Sequence, residues 1–483
     1  MTTSTAAAMV QPRIAIIGGG AAGLAAARVL TRSHPTWEVR VLERKFALGG
    51  VWRYDEATSA TTETNSDGTS KTRKQHPMYR NLRTNLPKEV MAYREFPWLD
   101  DLHKNGGKSF MTHAQVLEYL QDYAKQFDLE KYIQWNANVK QLTIVADQEE
   151  GHTSSSSLTS SSSSLFPLQV ASSETTEEKW PKIKLEWSIG DSETTNNNQD
   201  ATTSTSSHQH EPANQFCELF DAVCICNGHY NLPILPDLPG LPQYFRGQIM
   251  HSISYDDPRI FQNQIVLCVG GRASGSDIAR EISHYAKHVY LSDSTAPSTP
   301  LTRNTITWVP KTASVLENGN VQFQKEAATQ WPEGVHVDTI IFCTGYDYQF
   351  PFINDASNLP LHCGNRRVRP LYEQLWHAVY PNLVFVGLPH SVVPFPLMEL
   401  QMEAVESQWQ EWTLPALANR LKAAEYDATS GGEGKNGNGR VPEDTHYLGA
   451  AQWEYCRRMA KYAQLYDEKM KDFILTNQVS FVA

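Results

Sequence analysis

The sequence predicts an α/β protein made of two doubly wound, Rossmann-like dinucleotide-binding domains, the second inserted into the first. Three observations carry that prediction. The segment IAIIGGGAAGLAAARVL sets Gly18, Gly19, Gly20, Ala21, Ala22 and Gly23 between an apolar strand, 14–17, and a helix, 21–30. The segment QIVLCVGGRASGSDIAREI repeats the arrangement, with Gly270, Gly271, Arg272, Ala273, Ser274 and Gly275 after a strand at 264–269. The rest of the ordered-looking chain alternates strand and helix, as doubly wound units do.

The remaining elements follow in order. Residues 37–42 read as a strand, and 114–127 as an amphipathic helix with Val116, Leu117, Leu120, Ala124 and Phe127 on one stripe. Residues 221–226 and 383–387 read as strands, 397–414 as a helix and 450–470 as one long helix. Two polar tracts interrupt this. Residues 57–74 look like a loop insertion, and 151–211 like a β-hairpin with a strand in WPKIKLEWSI and long Ser/Thr/Asn-rich elaborations. The expected division is 10–232 for the first part of the first domain, 233–337 for the inserted domain and 338–483 for the return.

Composition sets bounds. A chain of 483 residues has room for two or three domains with a large core. The net charge of −11 argues against nucleic acid or an anionic membrane surface as the main partner. No run reaches the roughly 18–20 apolar residues of a membrane span, and MTTSTAAAMVQP lacks the features of a signal peptide. A soluble, cytoplasmic protein without a membrane anchor is the expectation. The seven cysteines form no CxxC or CxxxxC. Cys224, Cys226, Cys268 and Cys343 sit in apolar strand contexts and read as core residues rather than a redox dithiol.

Two phosphate loops call for two dinucleotides, and FAD with a nicotinamide is the simplest pair. Glu43 closes the strand after the first loop, where an acid accepts both ribose hydroxyls of an adenosine. In Gly49-Gly50-Val51-Trp52 the backbone is bare enough for a flat ring system to pass closely; Trp52 reads equally well as a core aromatic. No catalytic triad, metal cluster or paired carboxylates stand out, so no metal is expected.

Between the loops, Phe245, Gly247, His251 and Tyr255 fit FxGxxxHxxxY, and later comes DTIIFCTGY with Thr344 and Gly345. With GGGAAG, GGVW and the second loop, the chain resembles the flavin-containing monooxygenases, a branch of the class B flavin-dependent monooxygenases. RTNLPKEVMAYREFPW, FCTGYDYQFPFI and VGLPHSVVPFPLMELQ look most like the plant-type S-oxygenating members.

The resemblance implies FAD and NADPH as cofactors. It implies oxygenation of a soft nucleophile, a small thioether or amine, by dioxygen through a C4a-hydroperoxyflavin. The flavin does the chemistry, and the protein positions it and excludes water. Asn85, by itself a turn residue before Pro87, matches the family's asparagine at the flavin edge, and Val139 joins the cofactor-binding set. His251 would hydrogen-bond a linker or orient the nicotinamide half, the linker role being favoured. Tyr255, where Baeyer–Villiger members place Trp, favours heteroatom oxygenation. Residues 388–401, with Val392, Val393 and Phe395, would line a small apolar approach or simply a packed corner. A homodimer stays open.

Two departures bear on the second loop. Arg272 replaces the middle glycine, either to contact phosphates or to point outward. The next strand ends in Ser292-Asp293 without an adjacent arginine, and an acid there suits a ribose 2′-hydroxyl and repels a 2′-phosphate. The resemblance nonetheless favours NADPH over NADH. Two other functions fit the same loops: an NAD(P)H oxidase that releases hydrogen peroxide, and a non-catalytic binding protein on the same scaffold.

Overall fold

The computed structural model describes residues 11–54, 60–64, 70–74, 76–98, 108–145, 180–190, 214–324, 326–411, 413–430 and 445–482. Its first sheet has seven strands. Arg13–Ile17 lies in its interior, parallel to Glu38–Leu42 on one side and to Ala222–Ile225 on the other. Ile133–Gln134 extends the sheet beyond Glu38–Leu42; Leu383–Phe385 extends it beyond Ala222–Ile225, followed by two short antiparallel strands.

Alternation along Arg13–Ile17 divides the core in two. Ile14 and Ile16 face the helices Ala21–Ser33 and Pro394–Gln410. Ala15 and Ile17 face a three-stranded antiparallel sheet, Ala137–Val145, Lys182–Ile189 and Asn214–Phe220. In the middle strand of that sheet Ile183, Leu185 and Trp187 are all buried on this face. The strand expected in WPKIKLEWSI is therefore present, paired on both sides, while the Ser-rich 154–164 and all of 191–211 lie outside the described residues.

The second sheet has six strands in the order Gln248–His251, Thr339–Phe342, Ile265–Val269, His288–Ser292, Ile306–Val309, Leu301–Arg303, parallel except for the last pair. The expected boundary at 337 thus falls short of this sheet. Thr339–Phe342 is an apolar run buried at every position, as a parallel strand covered on both faces should be. The chain crosses between the sheets twice, and the crossings pair: Leu232 opposes Asp347 and Pro233 opposes Tyr346.

Three further expectations are corrected. Residues 450–470 are not one helix; Gln452–Tyr462 and Glu468–Val482 are separated by a turn with Gln464 at φ +56°. Asp467 starts the second helix, its carboxylate accepting the Met470 amide at 2.9 Å. The helix expected at 397–414 is Pro394–Gln410, opened by proline in the first turn, where the missing N–H costs nothing. Within 57–74, expected as a loop insertion, Ala60–Thr64 and Ser70–Lys74 form an antiparallel ribbon.

Candidate functional site

The first glycine loop is shaped by contacts that exclude side chains. Gly18 has φ +107°, and a Cβ on it would lie 2.6 Å from the Cys226 carbonyl oxygen. A Cβ on Gly23 would lie 1.9 Å from the Gly18 carbonyl oxygen, so only glycine lets the helix sit this close to the strand. Gly20 precedes the helix with φ −82° and ψ −169° and offers no side-chain cap. The first amides of the Ala21–Ser33 helix therefore need an outside acceptor, which an anion supplies.

Glu43 is buried beside this loop. Its Oε2 accepts the Gly19 amide at 2.6 Å and its Oε1 accepts the Lys45 amide at 2.8 Å. Gly49 donates its amide to the Gly19 carbonyl at 3.2 Å, and Gly50 packs so tightly on Gly20 that a Cβ on Gly50 would come 3.0 Å from the Gly20 Cα. Val51 and Trp52 continue from there, the Trp52 ring edge-on to Phe395 at 6.4 Å. The structure brings Gly18 to Gly23, Glu43 and Gly49 to Trp52 into one cradle.

The second loop repeats this geometry. Gly270 has φ +105°, and its Cβ would lie 2.6 Å from the Cys343 carbonyl oxygen; a Cβ on Gly275 would lie 1.7 Å from the Gly270 carbonyl oxygen. Gly271 donates to Asp293 Oδ2 at 2.8 Å, as Gly19 does to Glu43. Arg272 occupies the place of Gly20 with φ −72° and ψ −168°, a conformation open to any residue, so the departure from glycine is unstrained. Its side chain points outward, the guanidinium 5.0 Å over the Tyr447 ring. Arg272, Ala273 and Ser274 are exposed at the start of the Ala273–Ile282 helix.

Other expected site residues lie on other elements. Asn85 is exposed on a corner fixed by Thr84, which donates its amide to the Met111 carbonyl at 2.8 Å and accepts the Met111 amide at 3.0 Å. Val139 is buried in the core of the first sheet, two residues beyond Ala137, whose amide bonds the Glu43 carbonyl at 2.9 Å.

Thr344 and Gly345 hold the crossing between the sheets. The Thr344 hydroxyl donates to the Ile234 carbonyl at 2.5 Å and its carbonyl accepts from Arg366. The Gly345 carbonyl accepts the Ile234 amide at 3.0 Å and His251 Nε2 at 3.1 Å. Because His251 Nδ1 accepts the Ile253 amide at 3.1 Å, its proton sits on Nε2. Burial pushes this imidazole down to about 4. His251 therefore ties the linker, and its motif partners are likewise structural. A Cβ on Gly247 would lie 2.2 Å from the Asp338 carbonyl oxygen, and buried Tyr255 donates to Glu281 at 2.5 Å.

Sequence reasoning missed Tyr93 and Gln401. The Tyr93 hydroxyl donates to the Ala21 carbonyl at 2.7 Å, pinning the first helix turn, and its amide donates to the Tyr119 hydroxyl at 2.8 Å. Gln401 accepts the Gly387 amide at 2.9 Å and donates to Tyr455 at 2.8 Å. Neither lies in a spacing pattern that marks such a role. Among the described residues no cluster of His, Cys, Asp and Glu could hold a metal, all cysteines are free, and no helix is long and apolar enough to cross a membrane.

Comparison with known proteins adds the decisive observation: the flavin-binding monooxygenase-like family matches residues 11–158 and 193–305. The chain belongs to that family. It is 30% identical to flavin-containing monooxygenase FMO GS-OX5 of Arabidopsis thaliana over 93% of this chain and 84% of that protein. It is 31% identical to FMO GS-OX-like 4 of the same plant over 92% of this chain and 85% of that one. Among solved structures, S-allyl-L-cysteine S-oxygenase from Allium sativum matches with a TM-score of 0.72 at 27% identity, covering 97% of this chain and 93% of that chain. Cyclohexanone monooxygenase, at 12% identity and a TM-score of 0.52, shares the fold. Flavin monooxygenases of this class use FAD and NADPH. The first cradle fits the former, since glycine is required wherever a Cβ would fill it and Glu43 lies beside it.

Proposed function

We propose that this flavin-binding monooxygenase uses NADPH and dioxygen to oxygenate a nucleophilic sulfur, or secondarily a nitrogen, in a small molecule. The observation that carries it is the pair of glycine loops with matching geometry, on two sheets joined by one paired crossing. The likeness to an S-oxygenase acting on S-allyl-L-cysteine, a thioether, supports sulfur as the target.

When bound, FAD would supply hydride acceptance from NADPH and activation of dioxygen. The chain's own residues bind, orient and exclude water. Glu43 has acceptor capacity for the adenosine ribose, and the amides opening the Ala21–Ser33 helix suit the pyrophosphate. Gly49 and Gly50 allow close passage of the ring system, with Trp52 and Phe395 as apolar walls. The second loop would take the nicotinamide coenzyme, and the exposed Asn85 amide would donate a hydrogen bond at the flavin.

The test is a coupling assay: NADPH consumed, sulfoxide formed and hydrogen peroxide released, with a thioether such as S-allyl-L-cysteine as probe. Near-stoichiometric sulfoxide is expected. Peroxide equal to NADPH would establish an oxidase instead, and a colourless protein that takes up no FAD would leave only a binding scaffold. Asn85→Ala should keep FAD bound and shift most turnover from sulfoxide to peroxide; unchanged coupling would remove Asn85 from the site.

A further inference from the structure

Asp293 poses a problem for a phosphorylated coenzyme. It follows the strand after the second loop, where an acid ordinarily takes the ribose hydroxyls and repels a 2′-phosphate. Glu43 holds the matching place after the first loop, but the two carboxylates differ in what they still offer. Each Glu43 oxygen accepts one backbone amide, at 2.6 and 2.8 Å. A carboxylate has about four lone-pair sites, which leaves room on both oxygens for a ribose diol.

Asp293 is filled differently. Its Oδ1 accepts both the amide and the hydroxyl of Thr295, at 2.7 and 2.5 Å, and its Oδ2 accepts the Gly271 amide at 2.8 Å. One oxygen is saturated, so Asp293 cannot grip a diol with both without giving up the Thr295 turn. The carboxylate also packs directly on the loop, since a Cβ on Gly271 would lie 2.9 Å from Oδ2.

Arg272 is the next residue along, and its positive charge acts on that carboxylate. The flavin loop has no counterpart, because Gly20 stands there. The Arg272 side chain is exposed over Tyr447, which is itself 42% exposed, and it makes no ion pair among the described residues. An exposed planar guanidinium on the residue after Gly271, whose amide holds Asp293, has the donor fork that suits a phosphate.

We infer that Arg272 sets the coenzyme preference of the second loop by pairing with the adenosine 2′-phosphate, while Asp293, occupied by Thr295, serves as scaffold. The inference rests on the proposed use of NADPH. It is tested by calorimetric titration of the oxidised, FAD-loaded protein and its Arg272→Gln variant with NADP⁺ and with NAD⁺. The variant should lose about ten- to a hundredfold in NADP⁺ affinity and keep its NAD⁺ affinity. An equal loss for both would put Arg272 on the pyrophosphate they share, and no loss would leave it on Tyr447; either result overturns the inference. A wild-type protein that binds neither coenzyme would instead overturn the NADPH reading itself. Thr295→Ala, which opens a site on Asp293 Oδ1, should raise NAD⁺ affinity several-fold; an unchanged value would overturn the part assigned to Asp293.

Discussion

At the residue scale, the two loops of this chain are shaped by where side chains are missing. Gly23 and Gly275 are each backed by a carbonyl oxygen that a Cβ would strike, at 1.9 and 1.7 Å. Both positions could be read from the sequence, because the loop motif needs a glycine for close packing of helix on strand. Their equivalence allows the two proposed cofactor sites to be separated. Gly275→Ala should weaken NADP⁺ binding at least about tenfold, a cost of 1.4 kcal/mol or more, while the flavin absorbance stays intact. Titration monitored through the visible spectrum checks both at once; loss of flavin would mean that the two loops fold as one unit. The saturation of Asp293, in contrast, could not be read, since it depends on how Thr295 turns back.

At the scale of elements, the helix Pro394–Gln410 packs on Ala21–Ser33 and is held there by two arginines on its buried Glu399 and Glu403. Arg94 donates its amide to Glu399 at 3.0 Å and its Nε to the same oxygen at 2.9 Å, and its guanidinium also meets Glu403. Arg32 reaches Glu403 at 3.3 Å from the first helix. Burial raises the Glu399 carboxyl above its ordinary range despite Arg94. Removing one partner of such a set leaves a charge uncompensated. Arg94→Leu should therefore cost about 3–5 kcal/mol, measured by denaturant unfolding at neutral pH. The deficit should shrink under mild acid, where Glu399 can take up a proton. In the sequence, Arg94 and Glu399 lie 305 residues apart and nothing pairs them. The break at Ala463–Asp467 was more accessible, because Asp467 is a helix-start signal inside an otherwise continuous amphipathic run.

At the scale of the whole molecule, each large sheet contains one buried neutral histidine. His377 donates from Nε2 to the Pro360 carbonyl at 3.2 Å and accepts the Tyr380 amide at 3.1 Å, the same pattern as His251. Burial pushes both imidazoles down to about 4. An unfolded histidine titrates near 6.5, so between about 6.5 and 4 the unfolded chain binds protons that the folded chain excludes. Their contribution is complete above about pH 6.5 and is lost as pH falls, up to about 3 kcal/mol for each ring. Unfolding midpoints measured from pH 7 to 4.5 should decline, and His377→Gln should decline less steeply than the unaltered protein.

The sequence by itself determined the α/β class, both glycine loops, the place of Glu43 at the strand end beside the first loop and the strand in WPKIKLEWSI. Each is encoded within a short stretch, by glycine where backbone must approach backbone, by an acid at a strand end or by a two-residue apolar period. The tertiary structure decided the rest. It put Thr339–Phe342 into the second sheet, turned His251 onto the linker, set Arg94 between two buried glutamates and saturated Asp293 while leaving Arg272 exposed. Those outcomes depend on which donors and acceptors meet across the fold, and hydrogen-bond capacity and burial belong to the packed molecule rather than to any segment of it.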